Sequence, residues 1–357
     1  MAAATNPFEV RGELAVRSAA TVICVRRRCE AEGGKPGEPV SFARRLKDKY
    51  GDALTTKNAF LKGYLKGSDA EKNLCFESGW EVLLGQNEVI NWLRSTPEKI
   101  TTMRYPGEYK LAGGNVDKGE TLEEAAKREL SEEFLRPAET QVPFEDIILR
   151  PFSVKQTRPI RSRSNLMYNF VAIAEENPWL ANLDIDEVNE SLRARRREFY
   201  KLIESTESPY WSMPVEEKEE ISPEVHEVRW VPLEEAVEYC LTSVMDEGIS
   251  YVNDWQREQF ERLNRTRRDP MIMTGAALIE LEMFPDFDAL RAFCSSTNLD
   301  ALREGEQWLF PGMTNDDVEE AFLARLGETE TVNPSFKALD FIVRQRELNR
   351  KQRAASL

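Results

Sequence analysis

The stretch GGNVDKGETLEEAAKRELSEEF, from Gly113 to Phe134, contains the pattern that decides how this chain folds. A glycine pair opens the stretch, and glutamates then crowd into a segment of helical character. Thr121 can cap that helix with Glu124 three residues later, as in a capping box, while Ala125 and Leu130 supply an apolar side. Because like charges four residues apart on a helix repel each other, so many glutamates need a physical reason.

The spacing of three of these glutamates suggests that reason. Glu129, Glu132 and Glu133 fall within an arc of about 100° if each residue advances the helix by about 100°. Carboxylates held so close raise one another's pKa or destabilise the helix unless cations neutralise them. Hard oxygen ligands suit Mg²⁺ or Mn²⁺, and Mg²⁺ commonly combines a few carboxylates with phosphate oxygens of a substrate. We therefore expect a divalent metal site.

The residues next to these carboxylates fit a phosphate-anhydride site. A tight turn at Gly113 and Gly114 can present backbone carbonyls to the same ion or let a phosphate approach closely. Arg128 can hold one carboxylate in place through a charge-assisted pair. In such a site a metal neutralises the phosphate and activates a water molecule.

The rest of the chain shows strands before and after this helix. RSAATVICVRR (17–27), WEVLLGQ (80–86) and GEYKLAGGNV (107–116) predict three strands, and DIILRPFSVKQT (146–157) with NLMYNFVAIAEE (165–176) predicts a pair. HEVRWVPLEEAVEYCL (226–241) predicts a strand followed by a helix. Residues from about 28 to 78 and from about 178 to 218 are interpreted as insertions, the second carrying a charged helix. Beyond Thr266 the apolar periodicity predicts a mostly helical region.

The glycine–glutamate pattern resembles the signature of the Nudix hydrolases, G-x5-E-x7-R-E-U-x-E-E-x-G-U, in which U is an aliphatic residue. The six matching identities are Gly114, Glu120, Arg128, Glu129, Glu132 and Glu133. The pattern departs from the signature at its end, where Leu135 replaces the final glycine and Arg136 the aliphatic residue. That change affects how the helix ends, because the glycine normally serves as a left-handed exit, and leaves the metal ligands intact.

The resemblance implies a fold and a division of the chain. The fold is an α/β class Nudix-type α/β/α sandwich with a mixed sheet, and it extends over about Val16 to Leu241. We expect a Nudix domain with two insertions at residues 1–265 and a helical C-terminal extension at residues 266–357, to which the resemblance adds nothing.

The resemblance also implies roles for individual residues. Glu129, Glu132 and Glu133 become metal ligands, with the Gly113 carbonyl as a further one, and Arg128 and Glu120 orient them. Members of the family often draw a base or an additional ligand from a later glutamate outside the signature. The candidates for that role stand just before the strand that starts near His226, and they are Glu219, Glu220 and Glu224.

The segment MRYPGEYKLAGGNVD (103–117) partly resembles the upstream element of Nudix coenzyme A diphosphatases. Gly107, Gly113, Gly114 and Asp117 align with that element, whereas Leu111 and Ala112 replace its Phe-Pro pair and Arg104 stands one position off. Gly114 and Arg104 are candidate substrate-binding residues on this resemblance. A coenzyme A-like substrate is therefore one expectation, beside a nucleotide sugar, a dinucleotide and the 5′ end of RNA.

Two further features have competing interpretations. Arg158, Arg161 and Arg163, in the basic loop TRPIRSRSN, bind substrate phosphates if the loop overhangs the site and are otherwise solvated loop arginines. His226 is the single histidine of the chain. It lies in a predicted strand, so that we interpret it as an ordinary strand residue and not as a catalytic base.

Composition restricts the partners and the compartment. The formal net charge of −15 makes non-specific attraction to nucleic acid or to an anionic membrane unfavourable, so RNA is possible but not favoured and no membrane partner is expected. Five cysteines without C-x-x-C spacing suggest neither a zinc site nor a disulfide framework, which favours a reducing compartment. No apolar run approaches the roughly 18 residues of a membrane span. We expect a cytoplasmic protein, and a homodimer is compatible with the sequence.

The sequence thus predicts a metal-dependent Nudix pyrophosphohydrolase, a diphosphatase that cleaves a nucleoside diphosphate linked to another moiety. The alternative from a different class is a catalytically silent Nudix-fold subunit that binds or scaffolds a larger complex. Retention of all the signature carboxylates favours the enzyme, while the insertions and the extra C-terminal region are typical of partner binding.

Overall fold

The computed structural model of the protein describes the strands and most of the helices that the sequence predicts. The described residues are 9–11, 14–28, 42, 44–45, 48, 76, 78–103, 106–117, 119–135, 142–156, 163–242, 272–282 and 284–294. Most of the first predicted insertion, at about 28–78, lies outside the described residues.

A single mixed sheet forms the centre of the described structure. Its strands are β1 (Glu9–Arg11), β2 (Leu14–Arg27), β3 (Trp80–Asn87), β4 (Tyr109–Lys110), β5 (Ala112–Asn115), β6 (Arg150–Gln156), β7 (Arg163–Ile173) and β8 (Val225–Pro232). The long strand β2 is paired with β7 in parallel and with β1, β3 and β5 in antiparallel orientation. Strand β6 is antiparallel to β7, and β4 and β8 are antiparallel to β3. The predicted third strand, 107–116, is in fact the two short strands β4 and β5, because β4 pairs with β3 while β5 pairs with β2.

Helices cover both faces of this sheet. They are α1 (Leu122–Leu130), α2 (Pro178–Ala181), α3 (Ile185–Leu202), α4 (Val215–Ile221), α5 (Leu233–Thr242), α6 (Ile272–Leu281) and α7 (Phe287–Cys294). Within the described part of the chain, no helix combines the length and the apolar character needed to cross a lipid bilayer.

The alternation of side chains along β2 divides the apolar core into two layers. Val22 and Cys24 point to one face, where they join α1, α2 and α3, whereas Ile23 and Val25 point to the other, where they join α5, α6 and α7. Because successive side chains of a strand point to opposite faces, a strand buried on both faces is apolar at every position. The α/β class and the helix–sheet–helix layering that the sequence predicts are confirmed.

The beginning of the predicted C-terminal region takes part in this core. Helices α6 and α7 form in the segments where apolar periodicity predicts them, and Leu278 and Leu290 are fully buried against the same face as Ile23. The division of the chain at residues 265 and 266 stays a prediction, as do the bounds of the two insertions. The helices predicted after Cys294 lie outside the described residues.

A buried polar cluster joins α3 to the sheet. Nη1 of Arg196 donates to Oε1 of Glu88 at 3.1 Å and also to the backbone carbonyl of His226. The side-chain Nδ1 of His226 lies 3.1 Å from the same oxygen of Glu88. Burial alone would raise the pKa of Glu88, but His226 and Arg196 outweigh it and lower that pKa. The backbone N–H of Glu88 donates to the carbonyl of Glu224 at 2.8 Å, so the cluster also fixes the start of β8.

The Glu88 cluster makes α3 sensitive to a single substitution. Arg196→Met is expected to lower the free energy of unfolding by about 3–5 kcal/mol, because it leaves the buried carboxylate of Glu88 without its arginine. The matched control is Arg193→Met on the same helix, where the arginine pairs with Glu190 at the surface and little change is expected. Urea unfolding of both variants measures the difference. Equal losses of stability in the two variants would contradict the assignment.

Candidate active site

The signature helix begins as the sequence predicts. Thr121 Oγ1 accepts a hydrogen bond from the backbone N–H of Glu124 at 3.2 Å, and the carboxylate of Glu124 accepts one from the backbone N–H of Thr121 at 2.8 Å. This reciprocal capping box satisfies two amides at the start of α1. Ala125, Ala126 and Leu130 are fully buried on the apolar side of the helix.

The end of this helix differs from the regular α-helix that the sequence predicts. After Leu130 the backbone continues as a π-helical turn from Ser131 to Leu135. The wider turn brings residues five apart onto one face, so that Leu130 and Leu135 are both buried in the core together with Phe134. As a result, Glu133 is 5% exposed, whereas the side chain of Glu132 is 38% exposed. The chain exit at Arg136 and Pro137 lies outside the described residues.

Arg128 connects the carboxylates of the signature. Its Nε donates to Oε1 of Glu120 at 2.9 Å, and its Nη1 donates to Oε1 of Glu129 at 2.9 Å and to Oε2 of Glu132 at 3.1 Å. Its Nη2 donates to the backbone carbonyl of Asn115 at 3.0 Å. The sequence predicts a pair with one carboxylate, but the arginine binds three, since a guanidinium offers five N–H donors in a fixed plane.

The glycine pair lies directly beside the carboxylates. The backbone N–H of Gly113 donates to Oε2 of Glu133 at 3.0 Å. A Cβ atom added at Gly114 would lie 2.3 Å from Oε1 of Glu129. A Cβ atom added at Gly113 would instead meet the backbone of β2, 2.4 Å from the carbonyl oxygen of Ala20. The two glycines therefore serve different purposes, one in the site and one in the sheet.

Lys110 is a central residue of the site that the sequence interpretation did not identify. It lies in β4, its side chain is 16% exposed, and its ammonium group binds Oε1 of Glu133. Burial alone would lower the pKa of Lys110, but the charges of Glu133, Glu224 and Glu129 outweigh it and raise that pKa. The available signal was its position three residues before the glycine pair, in the predicted strand GEYKLAGGNV.

A second wall of carboxylates faces the signature helix across a cleft of about 680 Å³. It comes from α4 and the segment that leads into β8, and it contains Glu216, Glu219, Glu220 and Glu224. The structure thus brings the later glutamates that the sequence singles out to the same cleft as the signature. Glu224 lies close enough for its charge to act on both Lys110 and Glu133.

Crowding of these carboxylates disfavours their charged forms. Burial, together with the charge of Glu133, raises the pKa of Glu129 to about 7. Burial also raises the pKa of Glu133, although Lys110 opposes that shift. On the opposite wall, burial and then the charge of Glu224 raise the pKa of Glu219. A carboxylate cluster of this kind gains stability from an added cation.

The donor chemistry of the cleft fits a divalent metal ion, although the candidate ligands form hydrogen bonds and ion pairs with other protein groups. In the described part of the chain, no group of three His, Cys, Asp or Glu side chains is arranged to hold a metal ion. Glu133 is bound to Lys110 and Gly113, while Glu129 and Glu132 are bound to Arg128. Oxygen donors with raised pKa values nevertheless suit Mg²⁺ or Mn²⁺, provided that Lys110 releases Glu133.

Several predicted substrate-binding arginines cannot be placed in this site. Arg104, Arg158 and Arg161 lie outside the described residues, and Arg163 starts β7 without a described side chain. His226 is confirmed as a buried residue of strand β8 and does not line the cleft.

Three further residues that line the cleft were not identified from the sequence. Asn91 and Arg94 come from the segment after β3, and Arg195 comes from α3 and donates to the backbone carbonyl of Glu220 at 2.9 Å. No local pattern marks them, because they lie far from the signature in sequence and only the fold brings them to it.

The fold and the cleft define an α/β protein with opposed carboxylates beside a glycine turn. Residues 81–202 match the family model of the NUDIX domain, so the predicted resemblance is confirmed for that segment. The crystal structure of a mutT/nudix family protein from Listeria innocua matches with 16% sequence identity over 70% of this chain and 94% of that chain, at a TM-score of 0.27 that is too low to bear on the fold. None of the curated proteins compared with the chain matches it significantly.

The different surroundings of the two glycines yield a prediction. Gly113→Ala is expected to lower the melting temperature more than Gly114→Ala, because its methyl group meets the backbone of β2, while at Gly114 the methyl group meets the end of the Glu129 side chain, which can shift more readily than a strand backbone. Thermal unfolding followed by circular dichroism compares the two variants. An equal or larger decrease for Gly114→Ala would show that the glycine roles are assigned wrongly.

Proposed function

We propose that this protein is a metal-dependent Nudix hydrolase that cleaves the pyrophosphate bond of a nucleoside diphosphate linked to another moiety. The Nudix domain supports hydrolysis of a pyrophosphate bond in general. The observation that carries the finer proposal is the meeting of the signature carboxylates, Arg128 and the Glu224 segment in one cleft. This geometry suits a reaction in which phosphate charge is neutralised while water is directed at phosphorus.

The metal ligands we propose are those of the signature. Glu129, Glu132 and Glu133, with the carbonyl of Gly113, would hold Mg²⁺ or Mn²⁺. A bound divalent ion supplies neutralisation of the phosphate and a lowered pKa of attacking water. Arg128 keeps Glu129 and Glu132 in position, because its contacts with Glu120 and the carbonyl of Asn115 fix the guanidinium.

The opposite wall provides the residue that we propose as general base. Glu224 lies across the cleft near Glu133, and its backbone is held by Glu88. It is suited to accept the proton of the attacking water, while the cluster behind it keeps its backbone in place. Glu220 is exposed and its carbonyl binds Arg195, which makes it the weaker candidate.

Arg94 and Arg195 suit the second negatively charged part of the substrate. They add positive charge to a cleft that also contains the signature carboxylates. A phosphate beyond the one that is attacked would be bound there by charge-assisted hydrogen bonds. A coenzyme A-like compound, a nucleotide sugar, a dinucleotide and the 5′ end of RNA all offer such a group.

Removal of one ligand charge tests the enzyme assignment. Glu133→Gln is expected to lower metal-dependent turnover at least about 100-fold while the protein stays folded, since the change preserves shape but deletes a ligand charge. The measurement is chromatography of products from coenzyme A, ADP-ribose, NADH, dinucleoside polyphosphates, a nucleotide sugar and capped RNA, with Mg²⁺ or Mn²⁺ against EDTA.

The matched control for this experiment is Glu145→Gln, an exposed glutamate outside the cleft. It should turn over substrate like the wild type. A fully active Glu133→Gln variant would contradict the proposed set of metal ligands. Silence of the folded, metal-binding wild type across the whole panel would instead support the scaffold alternative.

The proposed role of Arg94 yields a second test. Arg94→Ala is expected to raise KM for the preferred substrate about tenfold with little change in kcat, because it removes one charge-assisted contact that is equal in ground and transition states. Steady-state kinetics measures both constants. Arg197→Ala, an exposed arginine of α3 that does not line the cleft, should leave KM unchanged. A decrease in kcat alone would place Arg94 at the reacting phosphate and contradict its proposed contact with the second phosphate.

A further inference from the structure

The position of Lys110 carries an inference beyond the proposed reaction. Both oxygens of Glu133 are engaged, since Oε1 binds the Lys110 ammonium and Oε2 accepts the backbone N–H of Gly113 at 3.0 Å. The side chains of Lys110 and Glu133 are only 16% and 5% exposed. The lysine therefore occupies the cation position beside a carboxylate that belongs to the proposed metal ligands.

The fold holds both partners of this ion pair in place. Lys110 ends the short strand β4, where it pairs with Gly85 of β3, so that its backbone is fixed in the sheet. Glu133 is fixed by the π-helical turn, which buries the neighbouring Phe134 and Leu135. The four-carbon stem of the lysine is the mobile part, and a lysine ammonium is a compact charge with rotatable donors.

We propose that Lys110 is a built-in counter-ion that neutralises Glu133 in the metal-free protein and competes with the divalent ion for that carboxylate. Metal binding then requires the ammonium to leave Glu133, because two cations cannot share one buried carboxylate oxygen without strong repulsion. The released ammonium remains in the cleft that Lys110 lines, where a substrate phosphate is a new partner. The lysine thereby lowers the affinity for metal alone and favours binding of metal together with phosphate.

This inference rests on the proposed function in taking Glu133 as a metal ligand, but its test does not require turnover. The experiment is titration of the folded, metal-free protein with Mn²⁺, with free Mn²⁺ counted by electron paramagnetic resonance at fixed pH and ionic strength. Lys110→Met should bind Mn²⁺ about tenfold tighter than the wild type. The substitution removes a positive charge that repels Mn²⁺ and contacts the carboxylate of Glu133. Lys110→Arg keeps the competing charge and should stay near the wild-type affinity.

Two controls separate this effect from general ones. Lys201→Met, on an exposed lysine at the end of α3, removes the same charge far from the cleft and should leave Mn²⁺ affinity unchanged. Lys110→Gln keeps a hydrogen-bond donor without the charge, and it provides the same test if the methionine variant does not fold. Thermal unfolding of the metal-free variants adds a second readout, in which loss of Lys110 should lower the melting temperature and added Mn²⁺ should restore it.

Each outcome decides between the two proposals. The counter-ion proposal is overturned if Lys110→Met binds Mn²⁺ no more tightly than the wild type. The proposed function still stands in that case, provided that the wild type binds Mn²⁺ and Glu133→Gln abolishes this binding. Tighter binding by Lys110→Met confirms the counter-ion whether or not a substrate has been found. Absence of Mn²⁺ binding in the wild type and in every Lys110 variant overturns both proposals.

Discussion

The interactions of Arg128 are the constraint on which the arrangement of the site depends. One guanidinium binds Glu120, Glu129 and Glu132 and the backbone carbonyl of Asn115. It thereby ties the signature helix to the glycine turn and offsets part of the repulsion among the carboxylates. A lysine in that place would offer three rotatable donors in place of a planar fork, and could not hold three carboxylates in fixed directions.

The sheet explains why the carboxylates around Arg128 lie beside the apolar core. Strand β2 passes through the middle of the sheet, and Gly113 of β5 approaches its backbone so closely that a methyl group would collide with Ala20. Gly114 in turn leaves the space that the Glu129 carboxylate fills. The backbone of the glycine pair thus packs against β2 on one side and contacts the carboxylates of the site on the other.

The sequence predicts what local spacing controls. The capping box at Thr121, the buried strands and the grouping of Glu129, Glu132 and Glu133 follow from short-range patterns, and the structure shows the capping box, the strands and all three glutamates in one cleft. The π-helical turn was not predictable, because it depends on which apolar residues the core buries and not on the spacing of the glutamates. Lys110 and Arg94 were missed for a related reason, since only pairing of β4 with β3 and the path of the chain after β3 bring them to the cleft.

The charge of the cleft has a consequence for the choice of substrate. Among the described residues, eight carboxylate side chains and four cationic side chains line it. A free polyanion is repelled by such a surface, whereas a divalent ion and a phosphate that bind together neutralise it. For the proposed function, an acidic cleft in a chain of net charge −15 therefore favours small anionic substrates that bind together with a metal ion over long polyanions such as RNA, whose many other phosphates would remain unpaired. In that proposal, selectivity comes from the balance of charge around the signature, and not from the signature itself.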